Sequence, residues 1–255
     1  MGINRFDVYG SGSATATDLR LDGARRKLGD RVIVENFSGR SLITGTKWTT
    51  MAFDSPSDFD AVGMTEVVST SALDTAINLF VEGINQSGEK VSEFVALNGT
   101  TAVALTNNYA WINTAQQYVN TAEHKGQIDF LTSSAVTMSI EAGLGALQSG
   151  GIGIASGYSA MITSITIVAQ SDTAGMTNIA LSWMHDGETM NQLFTMTVAT
   201  SLTPTVITIP TTFISSYRSG GVGTTTGGLF TLKGKPISGG DATVNFTANC
   251  MISAL

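Results

Sequence analysis

The closing stretch "ATVNFTANCMISAL" alternates almost without a break. Val244, Phe246, Ala248, Cys250, Ile252 and Ala254 fall on one side of an extended chain, and Thr243, Asn245, Thr247, Asn249 and Ser253 on the other. Two residues is the side-chain period of a strand, whereas a helix would scatter these apolar positions around its circumference. The stretch is therefore a strand with one buried face, and Cys250 sits on that face as a small hydrophobe rather than as a redox or nucleophilic group. From "DRVIVENFSG" onward the chain repeats this kind of short β-forming run, punctuated by Gly, Asn, Asp and Ser. The nearest thing to a helix, "GARRKLGD", is short and bounded by glycine on both sides.

Two hairpins share a design. "TAINLFVEGI" and "EKVSEFVALN" flank "NQSG", while "NIALSWM" and "NQLFTMTVAT" flank "HDGET"; each pair is followed by a further β run. Within "KVSEFVALNGTTAVALTNNY", Asn98-Gly99 has the sequence of a two-residue type I′ turn, whose two central residues need positive φ. Such a turn would pin the register of the runs around it, with Val95 and Leu97 before it and Val103 and Leu105 after it. Phe94, Ala96, Ala102 and Ala104 make the second face of the same runs apolar too, so that face is expected to be covered by an opposing sheet and arm or by another subunit.

The expected fold is thus all-β, an antiparallel β-sandwich of jelly-roll type, built either as one sandwich or as two small ones in tandem. Residues 1–30, rich in Gly, Ser, Thr and Asp with little periodicity, read as an extended N-terminal arm. Residues 31–150 form the first β-sandwich region and 151–255 the second, joined by a glycine-rich connection over residues 143–157.

Charged residues make up only 13% of the 255, so the surface must be largely uncharged polar groups or be covered by neighbours. Net charge is −7, and the basic residues are scattered except for Arg20, Arg25, Arg26, Lys27 and Arg31. That group either docks the arm onto an acidic partner surface or is a solvated turn; it is too small for a nucleic-acid face. No run reaches the roughly 18 to 20 apolar residues of a membrane span, and the N-terminus lacks the apolar core of a signal peptide. The expectation is a protein made in a reducing cytoplasm that engages neither nucleic acid nor membrane.

Candidate chemistry is sparse. His124 and His185 stand in polar, turn-like contexts, and Asp186 and Glu188 beside the second fit a hairpin tip better than a metal site. Asp54, Asp58 and Asp60 lack the glycine and distal glutamate of a calcium loop. "GLGALQSGGIGIASG" has neither the lysine of a phosphate-binding loop nor dinucleotide-binding spacing. Glu82, Glu93 and Glu141 could supply a glycosidase carboxylate pair, but nothing groups them. Trp48, Trp111, Trp183, Tyr109 and Tyr118 are spread over distant segments, as core or interface anchors would be, rather than gathered in a sugar-binding patch. No catalytic, cofactor-binding or metal-ligating residue is assigned, and no cofactor is expected.

"STSALDTAINLFVEGINQSGEKVSEFVALNGTTAVALTNNYAWINTAQ", with E-x-V-x-L-N-G-T-T-A-V over Glu93–Val103, resembles a formula of virion structural proteins from tailed double-stranded-DNA bacteriophages. The resemblance runs more weakly through "YSAMITSITIVA" to the C-terminus and leaves out the arm. It implies a non-enzymatic structural protein of the virion. With the low charge and β content, it supports a capsid decoration or cement protein that forms a homo-oligomer, taken as a trimer, and clamps the major capsid protein on the capsid surface. The alternative is a tail or head-fibre protein that binds host surface glycans.

Overall fold

In the last strand the alternating residues are sorted as the pattern requires: Val244, Ala248 and Cys250 are fully buried, while Thr243, Asn245 and Asn249 are half-exposed. The computed structural model describes residues 32–45, 47–52, 59–118, 123–185, 191–210, 217–218 and 228–254. Among these residues there are strands and no helix. In chain order they are β1 (Val32–Ile43), β2 (Thr49–Thr50), β3 (Met64–Ser69), β4 (Asn78–Asn85) and β5 (Lys90–Ala96). There follow β6 (Val103–Gln117), β7 (Ile128–Thr132), β8 (Ala135–Ile140), β9 (Gly151–Ile154) and β10 (Tyr158–Ser171). The remainder are β11 (Gly175–His185), β12 (Asn191–Thr200), β13 (Thr205–Pro210), β14 (Tyr217–Arg218), β15 (Gly228–Ser238) and β16 (Ala242–Ala254).

They form three antiparallel sheets. The first has the order β1-β16-β10-β13, with β14 against β10; the second has the order β12-β11-β15-β2, with β9 against β15; the third has the order β5-β4-β6-β3-β7-β8. One core lies between the first two sheets, where Ile165, Ile167, Val244 and Phe246 meet Ile179, Leu181, Phe230 and Leu232. A second core belongs to the third sheet and includes Met64, Leu79, Trp111 and Phe130. The fold is an all-β antiparallel sandwich. β1 pairs with β16 along its whole length, from Val32↔Ser253 to Ile43↔Ala242, so residues 32–43 share a sheet with the last strand of the chain.

Both hairpins form: β4 pairs β5 from Asn78↔Ala96 to Ile84↔Lys90, and β11 pairs β12 from Gly175↔Thr200 to Trp183↔Asn191. Their sequels differ. β6 returns beside β4 in the same sheet, whereas β13 crosses to the first sheet beside β10.

The turn at Asn98-Gly99 is not a type I′ hairpin turn. The bridge joins Asn98 to Thr101, and Thr101 N donates to Asn98 O at 3.1 Å, so the central residues are Gly99 and Thr100. Gly99 has φ 57°, while Asn98 and Thr100 are not in the positive region, which is the pattern of a II′ turn. β4 lies between β5 and β6, so the turn sets no register between those two strands. It is held instead by tertiary bonds: Gly99 N donates to Asp74 O at 3.0 Å, and Ser69 N donates to Gly99 O at 3.1 Å. A Cβ at Gly99 would stand 3.0 Å from Ala72 O. Gly99→Val is therefore expected to cost about 1–3 kcal/mol through positive φ and crowding. An unchanged thermal melting curve would contradict this geometry.

The glycine-rich segment also differs from expectation. Residues 151–154 form a strand buried at every position, where a loop was expected. Ile152 and Ile154 enter the first core, and the alternate residues Gly151 and Gly153 leave room for Trp111 of the second. A Cβ at Gly151 would collide with the Phe230 carbonyl oxygen and stand 3.2 Å from Trp111 Cζ2; at Gly153 it would be 2.9 Å from Ile84 Cγ1 and 3.2 Å from Trp111 Cδ1. Asn113 closes the contact, donating from Nδ2 to Gly153 O at 2.9 Å and accepting from Gly153 N at 2.7 Å. The glycines here serve close approach of a ring to backbone, not flexibility.

Candidate interaction faces

On β4 the alternation turns Leu79 and Val81 inward and Phe80 and Glu82 outward, and on β5 it turns Val95 inward and Phe94 outward. Register places Phe80 opposite Phe94 on one side and Gln116 of β6 on the other. The rings of Phe80 and Phe94 lie 5.2 Å apart, and Tyr118, just past β6, meets Phe94 edge-on at 4.9 Å. Phe94 is 62% exposed and Tyr118 49%. Ala96, Ala102 and Ala104 are exposed as well. Of the second apolar face read from the sequence, Phe94 and Ala96 are left uncovered by the described chain on β5, an edge strand, whereas register sets Ala104 beside Glu66 of β3, away from them.

A second face has opposite chemistry. The outward side of the first sheet is crossed by in-register rows of uncharged polar side chains. One row runs Ser38, Thr247, Thr166 and Thr208 over β1, β16, β10 and β13, and the next runs Asn36, Asn249 and Ser164. Asn249 Nδ2 donates to Ser164 Oγ at 2.7 Å, and the Thr166 and Thr208 hydroxyls are 3.4 Å apart. On the other side of the threonine row stand Arg40, Asn245, Val168 and Val206, the last 63% exposed.

Buried polar groups tie loops together. Asp74, 1% exposed, accepts from Ser69 Oγ at 2.6 Å, Lys125 N at 2.8 Å and Gly126 N at 3.0 Å. Burial opposes its charge, but these bonds and nearby His124 together hold its carboxyl below the ordinary range. His124 is itself buried, with Nδ1 2.7 Å from Gly126 O and Nε2 against Leu144 O. Asp60 accepts from Val62 N and Gly63 N, each at 2.9 Å, and from the Thr132 and Thr137 hydroxyls, so it works as an Asx-type loop clasp. Lys90 joins the third sheet to the first by reaching Glu35 at 2.6 Å and Glu82 at 2.9 Å, beside a cavity of about 30 Å³. Glu93 accepts from Thr106 N at 2.7 Å and from Asn107 N and Nδ2 at 3.0 Å each, so its carboxylate ties β5 to the first half of β6. Burial raises the Cys250 thiol well above its usual range.

Trp111, Trp183 and Tyr109 are core residues, whereas Trp48 and Tyr118 are exposed. Asn98 and Gly99 lie in the turn described above. Arg20, Arg25, Arg26, Lys27 and Arg31 lie outside the described residues, as do Asp54, Asp58, Asp186 and Glu188. Among the described residues no three His, Cys, Asp or Glu side chains group as a metal site, and no helix is long and apolar enough to cross a membrane. Sequence reasoning missed the polar rows, because each strand contributes only alternate Ser, Thr or Asn residues and the rows exist only after pairing.

No protein-family model matches the chain, and no curated protein matches it. Among solved structures, that of infectious bursal disease virus Gt strain aligns over 89% of this chain and 82% of its own at 13% identity, with a TM-score of 0.14. The infectious bursal disease virus VP2 subviral particle aligns over 89% and 81% at 12% identity, with a TM-score of 0.16. Likeness this weak carries no argument about fold or function.

Proposed function

We propose that this chain is a non-enzymatic structural protein of a tailed-bacteriophage virion, a head decoration protein that forms a homotrimer and docks on the major capsid protein. The observation that carries the reading is the uncovered cluster of Phe80, Phe94 and Tyr118 with Ala96 beside it, of which Phe94 and Ala96 fall within the E-x-V-x-L-N-G-T-T-A-V segment. Exposed aromatic clusters of this kind mark interaction sites. Burying the exposed parts of Phe94 and Tyr118 removes on the order of 200 Å² per copy, about 5 kcal/mol before the costs of association. A repeated shell multiplies that gain through many simultaneous contacts.

Sedimentation of the purified protein, alongside quantitative mass spectrometry of separated heads and tails, tests this. The expected result is a trimer that Phe94→Ser with Tyr118→Ser converts to monomer at an unchanged melting temperature, and abundance in heads comparable to the main shell subunit. A monomeric wild type at about 10 μM, far below the millimolar range of weak contacts, would overturn self-association. A few copies confined to tails would overturn the decoration role.

A further inference from the structure

The outward face of the β1-β16-β10-β13 sheet has no part in the self-association argued above. We infer that it is a binding surface for a neutral, unbranched polysaccharide. Ser38, Thr247, Thr166 and Thr208 form one row, flanked by Asn36, Asn249 and Ser164 on one side and Asn245 on the other. Neighbouring strands stand about 4.8 Å apart and outward residues along a strand about 6.8 Å apart, so the hydroxyls and amides form a regular grid on the scale of a sugar ring. Asn36, Thr247 and Thr208 are exposed. Hydroxyls and amides can each both donate and accept, as can the hydroxyls of a sugar.

Charge selects among occupants. Across these rows the single ionic side chain is Arg40, although the whole chain carries 33 charged residues, 13 basic and 20 acidic. A nucleic acid needs several cations to displace its counterions. A membrane surface needs a broad apolar or basic face. A protein partner would have to bury the polar rows, and each group left without a matching bond costs about 1–3 kcal/mol. A neutral glycan avoids these penalties, because it exchanges one set of hydroxyl bonds for another. Val168 and Val206, side by side next to the threonine row, add an apolar step for the C–H face of a ring. Each contact is weak, and binding gains from length along the grid.

The test is NMR titration of the full chain with maltohexaose, cellohexaose and mannohexaose, with oligogalacturonate as the acidic control. The expected result is amide shifts from at least one neutral hexasaccharide that map to residues 36–40, 164–168, 206–208 and 243–249. Thr166→Val with Thr247→Val keeps the β-branched shape of exposed strand positions and removes two hydroxyls. It is expected to weaken binding about tenfold, equivalent to about 1.4 kcal/mol, at an unchanged melting temperature. No shifts with any neutral sugar at about 10 mM, above the millimolar Kd scale of weak binding, would overturn the inference, as would shifts with the acidic oligomer alone or undiminished binding by the double variant. The Phe94→Ser, Tyr118→Ser chain is expected to bind as the wild type does, which separates this surface from the oligomer face.

Discussion

Trp111→Ala is expected to destabilise the protein by about 3–5 kcal/mol in urea denaturation, a large part of the roughly 5–15 kcal/mol that domains possess. The side chain is fully buried and is among the largest that are. Its indole Nε1 has no hydrogen-bond partner within the described structure, so its removal strands no polar group and the cost is that of lost burial and a cavity. The rigid backbone of β9 lies against its long edge, which limits how far the site can collapse. The reciprocal change tests the same contact. Gly153→Ala brings a methyl to 2.9 Å from Ile84 Cγ1 and 3.2 Å from Trp111 Cδ1, crowding expected to cost about 1–3 kcal/mol. In a Trp111→Ala background the ring contact is gone and Ile84, its cross-strand neighbour, can lean into the vacated space, so the second cost should fall. Additive costs in that double-mutant cycle would show that the glycine is not there for the ring.

The contact also shows why part of this fold was legible in the sequence and part was not. Strands such as 242–254 declare themselves because one buried face forces period two, and β4 and β5 are joined by a turn rich in turn formers. "GGIGI" was unreadable for a different reason. Glycine marks a flexible connection and a close approach with the same letter, and only distant partners, Trp111, Ile84 and Phe230, decide between them. Asn98-Gly99 failed similarly: the dipeptide favours a I′ turn, but bonds from Ser69 N and to Asp74 O fix a different one. The pairing of β1 with β16 joins opposite ends of the described chain, and no local pattern encodes such a partner. Of the two faces, the aromatic one was visible because β5 is apolar on both sides. The polar rows were invisible because each strand, read alone, shows ordinary solvent-facing residues.

Asp74 offers the strongest pH-dependent prediction. Its carboxylate draws together segments more than 50 positions apart, accepting from Lys125 N and Gly126 N as well as from Ser69 Oγ. Asp74→Asn keeps the shape but offers one acceptor oxygen in place of two, so at least one backbone N–H faces an amide nitrogen. Hydrogen bonds to a charged acceptor are worth about 1.5–3 kcal/mol and a stranded buried donor costs about 1–3, so a loss near 3 kcal/mol is expected at neutral pH. The carboxyl titrates below its ordinary value of 3.8 in the folded state. A depressed acid contributes stability that is complete above its unfolded pKa and disappears as pH falls through the folded one. The gap between wild type and Asp74→Asn should therefore be widest near neutrality and narrow steadily once pH drops below about 4, as the wild-type carboxylate takes up its proton. Measuring the difference between the two proteins, rather than the wild type alone, cancels the similarly lowered Asp60 and Glu93. A gap of constant size from about pH 7 to about pH 2 would mean that the charge of Asp74 does not hold these loops, and that its shape alone does.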